Sequence, residues 1–200
     1  VWCDFVKLFA CCLSNGFEVD PVKRDAREKI YLDIAKAYTP EELNIIGELA
    51  SITVQALDHN ARQDFLGSLY MSLDFGDSWR GQFFTPWNIA YCMAMITVGN
   101  CEKEMSEKGF CSIYDCACGA GCMLIAAAAA YRYGNPEQQR NYQTDIVFVG
   151  QDIDPIVALM CYIQLSLLGC AGYVVIGDTL KYPICGYELD PYVSEDCEIW

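Results

Sequence analysis

Basic residues are scarce in this 200-residue sequence: 13 lysines and arginines stand against 27 aspartates and glutamates, which gives a net charge of −14. Non-specific affinity for nucleic acid comes mainly from lysine and arginine side chains against phosphates. We therefore expect that the chain does not hold duplex DNA by charge alone, although a local basic cleft could exist. The composition still permits a substantial core, because 54% of the residues are hydrophobic.

Histidine and paired-cysteine motifs are also nearly missing. His59 is the only histidine, and none of the 13 cysteines forms a C-x-x-C pair, although Cys111, Cys116, Cys118 and Cys122 lie close together in the sequence. Structural zinc sites use clustered thiolates and imidazoles, so the sequence predicts no metal site. Cysteines scattered through apolar runs are typical of buried free thiols in a reducing cytoplasm. No apolar run approaches the length of a membrane span, and we expect a cytoplasmic protein.

The most informative stretch is I-Y-D-C-A-C-G-A-G-C-M-L at residues 113–124. A short apolar run predicts a buried strand that ends at Asp115, Gly119 and Gly121 permit a tight turn, and residues 123–131 predict a helix. In an open α/β sheet, ligands bind outside the carboxyl ends of the strands, where a helix N-terminus offers free N–H groups. A carboxylate beside such a turn suits a ligand with a cationic amine and hydroxyls. An ordinary strand-to-helix turn has the same pattern.

Two further strand-like runs each end near an acidic residue. I-V-F-V-G-Q-D-I-D-P at 146–155 predicts a strand with Asp152 at its end and a helix that begins at Pro155. Y-V-V-I-G-D-T-L at 173–180 places Asp178 just past another strand. An acidic residue at the end of the second strand is a common means of binding ribose hydroxyls. The three units together favour one adenosine-containing ligand.

These motifs resemble those of the S-adenosylmethionine-dependent N6-adenine DNA methyltransferases, especially the modification subunits of type I restriction systems. The similar pairs are D-C-A-C-G-A-G at 115–121 with D-P-A-C-G-S-G, G-Q-F-F-T-P at 81–86 with G-x-F-[FY]-T-P, G-Q-D-I-D-P at 150–155 with G-x-[DE]-I-[DN]-P, and G-D-T-L at 177–180 with G-D-[ST]-L. Cys116 replaces a family proline, and Ala120 replaces a small hydroxyl residue. The resemblance covers about residues 79–180.

The resemblance implies an α/β architecture, namely a Rossmann-like S-adenosylmethionine-dependent methyltransferase fold with three layers and a parallel-rich sheet. This domain would occupy residues 79–200 and follow an N-terminal helical region at 1–78. The cofactor-binding residues that the resemblance implies are Phe84, Thr85, Asp115, Ala117, Gly119, Gly121, Asp152, Ile153 and Asp178. Asp115 would lie near the methionine end of the cofactor, and Asp152 would accept hydrogen bonds from the ribose hydroxyls. Ile153 would pack on the adenine ring, and Asp178 would face its amino group.

One family motif is missing. The catalytic [DN]-P-P-[FY] motif is expected shortly after Asp178, but no P-P dipeptide occurs anywhere in the sequence. The nearest approximation, D-P-Y at 190–192, is more simply interpreted as an exposed turn, since Asp-Pro commonly opens one. We therefore assign no catalytic residue. We expect the cofactor-binding portion of a site-specific adenine-N6 DNA methyltransferase, of the restriction-modification or mobile-element type, truncated on its C-terminal side and inactive as an isolated chain.

Two other interpretations are open. A non-catalytic S-adenosylmethionine-binding or scaffold subunit of a DNA-modification complex would share the fold and would need a partner subunit. A dinucleotide-dependent dehydrogenase is disfavoured, because D-x-x-x-G-x-G lacks the third glycine of G-x-G-x-x-G. We expect DNA to bind only with a missing C-terminal or partner recognition domain, whereas S-adenosylmethionine would bind to the chain itself.

Helix periodicity and capping signals account for most of the remaining sequence. The predicted helices cover residues 1–15, 25–38, 40–59, 61–73, 87–98 and 155–168. Thr39 is predicted as the N-cap of the third helix, and Thr85 as the N-cap of the fifth, with Pro86 as its first residue. The charged segment 100–109 predicts an exposed loop, and His59 is predicted to lie on the surface.

Overall fold

The computed structural model describes residues 1–73, 84–98, 101–134, 140–184 and 196–200. The helices are α1 (Trp2–Phe17), α2 (Pro21–Ala35), α3 (Pro40–His59), α4 (Phe65–Ser72), α5 (Trp87–Thr97), α6 (Cys101–Lys108), α7 (Cys122–Tyr133), α8 (Tyr142–Asp145) and α9 (Pro155–Leu167). The strands are β1 (Cys111–Asp115), β2 (Ile146–Asp152), β3 (Gly172–Ile176) and β4 (Glu198–Ile199). Within the described ranges, no helix is both long enough and apolar enough to cross a membrane.

The N-terminal helices begin where the sequence supplies caps. The Asp20 side chain accepts a hydrogen bond from the Val22 N–H at 2.9 Å, so α2 begins at Pro21, four residues earlier than predicted. At the start of α3, the Glu42 N–H donates to Thr39 Oγ1 at 3.3 Å, and the Thr39 N–H donates to the Glu42 carboxylate at 2.8 Å. This capping box satisfies two of the free donors of the first turn. It confirms Thr39 as the N-cap.

Within the part of the chain that the structure describes, the strands form one four-stranded sheet in the order β1-β2-β3-β4. β1, β2 and β3 are parallel and adjacent, as the apolar runs predict, and β4 pairs antiparallel with β3. β2 is buried from Ile146 to Gln151, because it lies inside the sheet and its residues are apolar almost throughout. α7 packs on β1, and α9 packs on β2 and β3. The structure is therefore a mixed α/β arrangement with a mostly parallel sheet.

The N-terminal helices share a core with the sheet. α1 packs on α9, and Phe5 and Phe9 belong to the same cluster of buried side chains as Met160 and Ile163. The buried guanidinium of Arg27 donates to the Ile199 carbonyl at 2.9 Å, which ties α2 to β4. The predicted boundary between residues 78 and 79 lies outside the described residues.

The predicted capping of α5 by Thr85 is wrong. α5 begins at Trp87, its N-cap residue is the extended Pro86, and no side chain of the described residues caps it. The reason is tertiary: the Phe84 ring stacks on Tyr70, and the Thr85 carbonyl accepts a hydrogen bond from the Cys122 thiol at 3.3 Å. These contacts hold the segment extended for one residue longer than the sequence pattern predicts.

The predicted loop at 100–109 is also wrong, because residues 101–108 form α6. Cys101 is buried and Met105, one turn later, packs against the main core, while Glu107 and Lys108 face solvent. Two apolar residues four positions apart are enough to hold a short helix on β1, since tertiary packing overrides weak local propensity.

Candidate functional site

Three acidic residues meet at one edge of the sheet. Asp115 is the last residue of β1, Asp152 is the last residue of β2, and Asp178 follows β3 by two positions. In the strand register, Asp115 lies opposite Gly150 and Asp152 lies opposite Ile176. Because the three strands are parallel, their carboxyl ends lie side by side. The structure thus brings together the acidic residues that the sequence places in three separate motifs.

A tight turn links β1 to α7 beside these carboxylates, and we call residues 116–121 the glycine turn. Gly119 and Gly121 have φ values of +53° and +96°, a backbone region that other residues rarely adopt. The Cys118 N–H donates to the Gln151 carbonyl at 3.0 Å, and the Gly121 N–H donates to the Cys118 carbonyl at 2.8 Å. These bonds fold the chain back over the end of β2 before α7 begins.

Asp115 lies at the base of the glycine turn and is partly buried. Its Oδ1 accepts a hydrogen bond from the Ala117 N–H at 3.1 Å. Burial raises the pKa of Asp115 above its usual value, the negative charge of Asp152 adds to that rise, and the Ala117 N–H opposes it. A carboxylate whose pKa is raised in this way gains from a nearby cation.

Asp152 clamps the glycine turn to the end of β2. Its Oδ2 accepts a hydrogen bond from the Gly119 N–H at 2.8 Å, and its Oδ1 accepts one from the Asp154 N–H at 2.9 Å. Each carboxylate oxygen can accept a second hydrogen bond. The side chain therefore keeps acceptor capacity for a hydroxyl ligand while it holds the turn.

Phe84 and Thr85 approach the glycine turn from the other side. The Phe84 ring stacks on Tyr70, with ring centroids 5.7 Å apart and planes 21° apart. A Cβ atom at Gly119 would lie 3.3 Å from the Phe84 ring, so the ring and the backbone are already in close contact. Of this motif, residues 84–86 are described, whereas 81–83 lie outside the described residues.

Ile153 and Asp178 border the same edge. Ile153, directly after the buried strand β2, is 67% exposed. Asp178 Oδ1 accepts a hydrogen bond from the Leu180 N–H at 3.0 Å, and Asp178 Oδ2 lies 3.6 Å from the exposed Lys181 ammonium. An exposed apolar side chain that follows the end of a strand is a surface on which a flat ring can stack.

The chain after β3 returns across the strand ends. The Gly177 N–H donates to the Asp152 carbonyl at 2.9 Å, and the Thr179 hydroxyl donates to the Cys116 carbonyl at 2.6 Å. Further along, the Gln151 side chain donates to the Tyr182 carbonyl at 2.9 Å. The G-D-T-L motif is thereby fixed against both preceding units. The D-P-Y segment at 190–192 lies outside the described residues.

Thiols pack beneath the glycine turn. Cys118, Cys122 and Cys161 are buried, and a Cβ atom at Gly121 would lie 2.8 Å from the Cys161 sulfur. Burial raises the pKa of Cys122 to about 12, so its thiol is neutral near pH 7 and packs as a small apolar group. No group of three or more metal-binding side chains occurs among the residues that the structure describes.

Sequence reasoning missed two buried glutamines that support the site. Gln151 lies within β2 and accepts a hydrogen bond from the Tyr114 hydroxyl at 2.7 Å. Gln164 lies within α9 and bonds to Asp64 and to the Ala120 carbonyl. Both are fully buried. The sequence signal that could have identified them is a single amide side chain in an otherwise apolar run. Such a side chain is buried with its neighbours, and a buried amide needs hydrogen-bond partners.

Comparison with protein-family models matches residues 63–193 to the family described as N-6 DNA Methylase. Comparisons with curated proteins and with solved structures found no match. The matched stretch includes α4, the glycine turn and the ends of β1, β2 and β3, and it covers well over half of the chain. On this evidence, the chain belongs to the N-6 DNA methylase family.

Proposed function

We propose that this chain is the S-adenosylmethionine-binding portion of a site-specific adenine-N6 DNA methyltransferase. One observation carries the proposal: Asp115, Asp152 and Asp178 converge beside a glycine turn at the carboxyl edge of a parallel sheet, in a member of the N-6 DNA methylase family. That family generally uses S-adenosylmethionine. The proposal includes a Rossmann-like, three-layer domain at 79–200 preceded by the helical region at 1–78.

The carboxylates at the carboxyl edge of the sheet fit a cationic ligand. The pKa of Asp115 is raised by burial and by the charge of Asp152, so a positive group placed between these carboxylates would relieve both effects. S-adenosylmethionine carries a sulfonium and an ammonium group. Asp115 would hold the methionine end, and the spare acceptor capacity of Asp152 would hold the ribose hydroxyls.

The remaining residues would enclose the rest of the cofactor. The exposed side chain of Ile153 would lie against the adenine ring, and Asp178 would face the ring's amino group. The lining of the site would consist of Phe84, Thr85, Ala117, Gly119 and Gly121. Dinucleotide binding is a weaker candidate, because the turn lacks the third glycine of that motif.

When bound, S-adenosylmethionine supplies an electrophilic methyl group for the exocyclic amine of an adenine that is flipped out of the duplex. The residues of this chain would orient the cofactor and fix its methionine end at the tip of β1. In the family, an [DN]-P-P-[FY] motif holds the target adenine, and this sequence contains no P-P dipeptide. We therefore infer that the chain does not methylate DNA unaided and that DNA binding depends on a further domain or a partner subunit.

A thermal unfolding experiment with three ligands tests the proposal. S-adenosylmethionine at about 100 times its dissociation constant should stabilise the folded protein by about 2.7 kcal/mol, which is a shift of a few degrees in melting temperature for a chain of this size. The demethylated product should also stabilise it, and NAD should not. Asp152→Ala should remove most of the shift, measured against the variant's own ligand-free melting temperature.

The matched control is Glu48→Gln, which removes one negative charge from an exposed position on α3. This variant should keep the full ligand shift. A shift with NAD but none with S-adenosylmethionine would show that the site takes a different ligand and that the proposed function is wrong.

A further inference from the structure

A buried hydrogen-bond network joins α4 to the glycine turn. Gln164 Nε2 donates to the Ala120 carbonyl at 2.8 Å and to Asp64 Oδ1 at 2.8 Å. Gln164 Oε1 accepts a hydrogen bond from the Leu66 N–H at 3.1 Å. Asp64 also caps α4, because its Oδ1 accepts the Gly67 N–H at 2.9 Å. One amide of α9 thus connects the start of α4 with Ala120 near the end of the glycine turn.

A second route connects the same helix to the same turn. Tyr70 of α4 stacks on Phe84, and the Phe84 ring lies against the backbone of Gly119. Tyr70 is buried, so the stacked pair is a fixed part of the core. α4 is therefore linked to the glycine turn by two routes: hydrogen bonds through Gln164 of α9 to Ala120, and aromatic packing through Phe84 to Gly119.

We infer that Asp64, Gln164 and Tyr70 are positioning residues, which set the conformation of the glycine turn and through it the affinity for the cofactor. This inference rests on the proposed function, since it assumes that the turn lines the cofactor site. None of the three lies at the strand ends, and they act through Ala120 and Gly119.

The need for such residues follows from the backbone of the turn. Gly119 and Gly121 have positive φ values, and glycine has more accessible backbone conformations than any other residue. Contacts from outside the turn must therefore select a single conformation. The peptide between Ala120 and Gly121 is held at both ends: its carbonyl accepts from Gln164, and its N–H donates to the Cys118 carbonyl. Loss of the Gln164 donor would leave a buried carbonyl unpaired, and rotation of this peptide would relieve that penalty.

A reversal of the Asp64–Gln164 pair separates positioning from stability. Gln164→Glu places a carboxylate opposite both Asp64 and the Ala120 carbonyl, so it should lower both the melting temperature and the cofactor affinity. In the double variant Asp64→Asn/Gln164→Glu, the amide at 64 can donate to the carboxylate at 164, but no donor faces Ala120. The melting temperature should return toward the wild-type value, while the dissociation constant for S-adenosylmethionine stays about tenfold weaker.

The single variant Asp64→Asn is the control, because an asparagine oxygen can still accept hydrogen bonds from Gln164 and from the Gly67 N–H. This variant should bind S-adenosylmethionine with the wild-type affinity. The aromatic route has its own pair: Tyr70→Leu should weaken the affinity severalfold, and Tyr70→Phe should weaken it less, because only phenylalanine can still stack on Phe84. A dissociation constant that recovers together with the melting temperature in the double variant would overturn the inference.

Amide hydrogen exchange at Gly121 provides a measurement that needs no ligand. The Gly121 N–H is bonded inside the turn, so its exchange should be about tenfold faster in the double variant than in Asp64→Asn. If the wild-type protein binds no S-adenosylmethionine, the proposed function is wrong. The exchange rate of the Gly121 N–H then decides by itself whether Gln164 sets the conformation of the glycine turn. Equal exchange in the two variants would show that it does not.

Discussion

Asp152 stands close enough to Asp115 for its negative charge to raise the pKa of the Asp115 carboxyl. Each side chain also holds backbone N–H groups, at Ala117 for Asp115 and at Gly119 and Asp154 for Asp152. These residues therefore have a structural role in the turn as well as the ligand role that we propose. A pH series distinguishes the two roles, because only the ligand role depends on the charge of the bound molecule.

At Asp115, we predict that affinity for S-adenosylmethionine falls with falling pH. The pKa of this carboxyl is raised, so it becomes neutral at a higher pH than an ordinary aspartate, whose pKa is about 3.9, and it then stops attracting a cation. Calorimetric titrations from about pH 8 downward should show this loss. Asp115→Asn should bind about tenfold more weakly at neutral pH, with little dependence on pH.

The demethylated product is the control ligand for this experiment, because it has no sulfonium charge. Its affinity should change less with pH than that of S-adenosylmethionine. Parallel pH profiles for the two ligands in the wild-type protein would mean that the pH dependence does not come from the sulfonium charge.

At the scale of elements, replacing glycine by alanine should have opposite effects on stability in the glycine turn and in the α3 helix. Gly119 has a positive φ, and a Cβ atom there would lie 3.3 Å from the Phe84 ring. Gly119→Ala should therefore lower the free energy of unfolding by about 1–2 kcal/mol and weaken cofactor binding. Gly47 lies in the exposed middle of α3 with open space around its Cβ position.

Gly47→Ala is the matched variant, and it should raise the free energy of unfolding by about 0.5–1 kcal/mol, because alanine is the better helix former. Urea unfolding of both variants measures whether each substitution raises or lowers the free energy of unfolding. A Gly119→Ala protein as stable as Gly47→Ala would mean that the turn tolerates a side chain and is not held as described.

The elements differ in how far the sequence predicts them. The parallel strands follow from apolar runs that each end near an acidic residue, and the α3 N-terminus follows from Thr39 and Glu42, which are three positions apart. Both signals are local. The start of α5 depends on the packing of Phe84 on Tyr70, and α6 depends on contacts that Cys101 makes with the core. Gln164 and Asp64 are 100 positions apart, so no local pattern could pair them.

At the scale of the whole molecule, the chain has the motifs that we propose bind the cofactor, but it has no P-P dipeptide of the kind found in the family motif for the target base. We predict no transfer of radiolabelled methyl groups from S-adenosylmethionine to mixed-sequence DNA by this chain alone, because the sequence lacks the P-P dipeptide of the motif that would hold the adenine amine in line at about 3 Å. The net charge of −14 also opposes DNA binding. Cofactor-dependent adenine methylation that is lost in Tyr192→Ala would show that D-P-Y at 190–192 is a catalytic motif.

The most direct test of the cofactor site is the amide NMR spectrum of the protein during titration with S-adenosylmethionine. We predict that the amide signals of Gly119, Gly121 and Ile153 shift as the ligand saturates, because these residues border the carboxyl ends of β1 and β2. Signals from the exposed faces of α2 and α3 should stay in place, and NAD at equal concentration should leave the whole spectrum unchanged. Shifts confined to α2 and α3, or no shifts at saturating ligand, would contradict the central claim that the cofactor binds at the glycine turn.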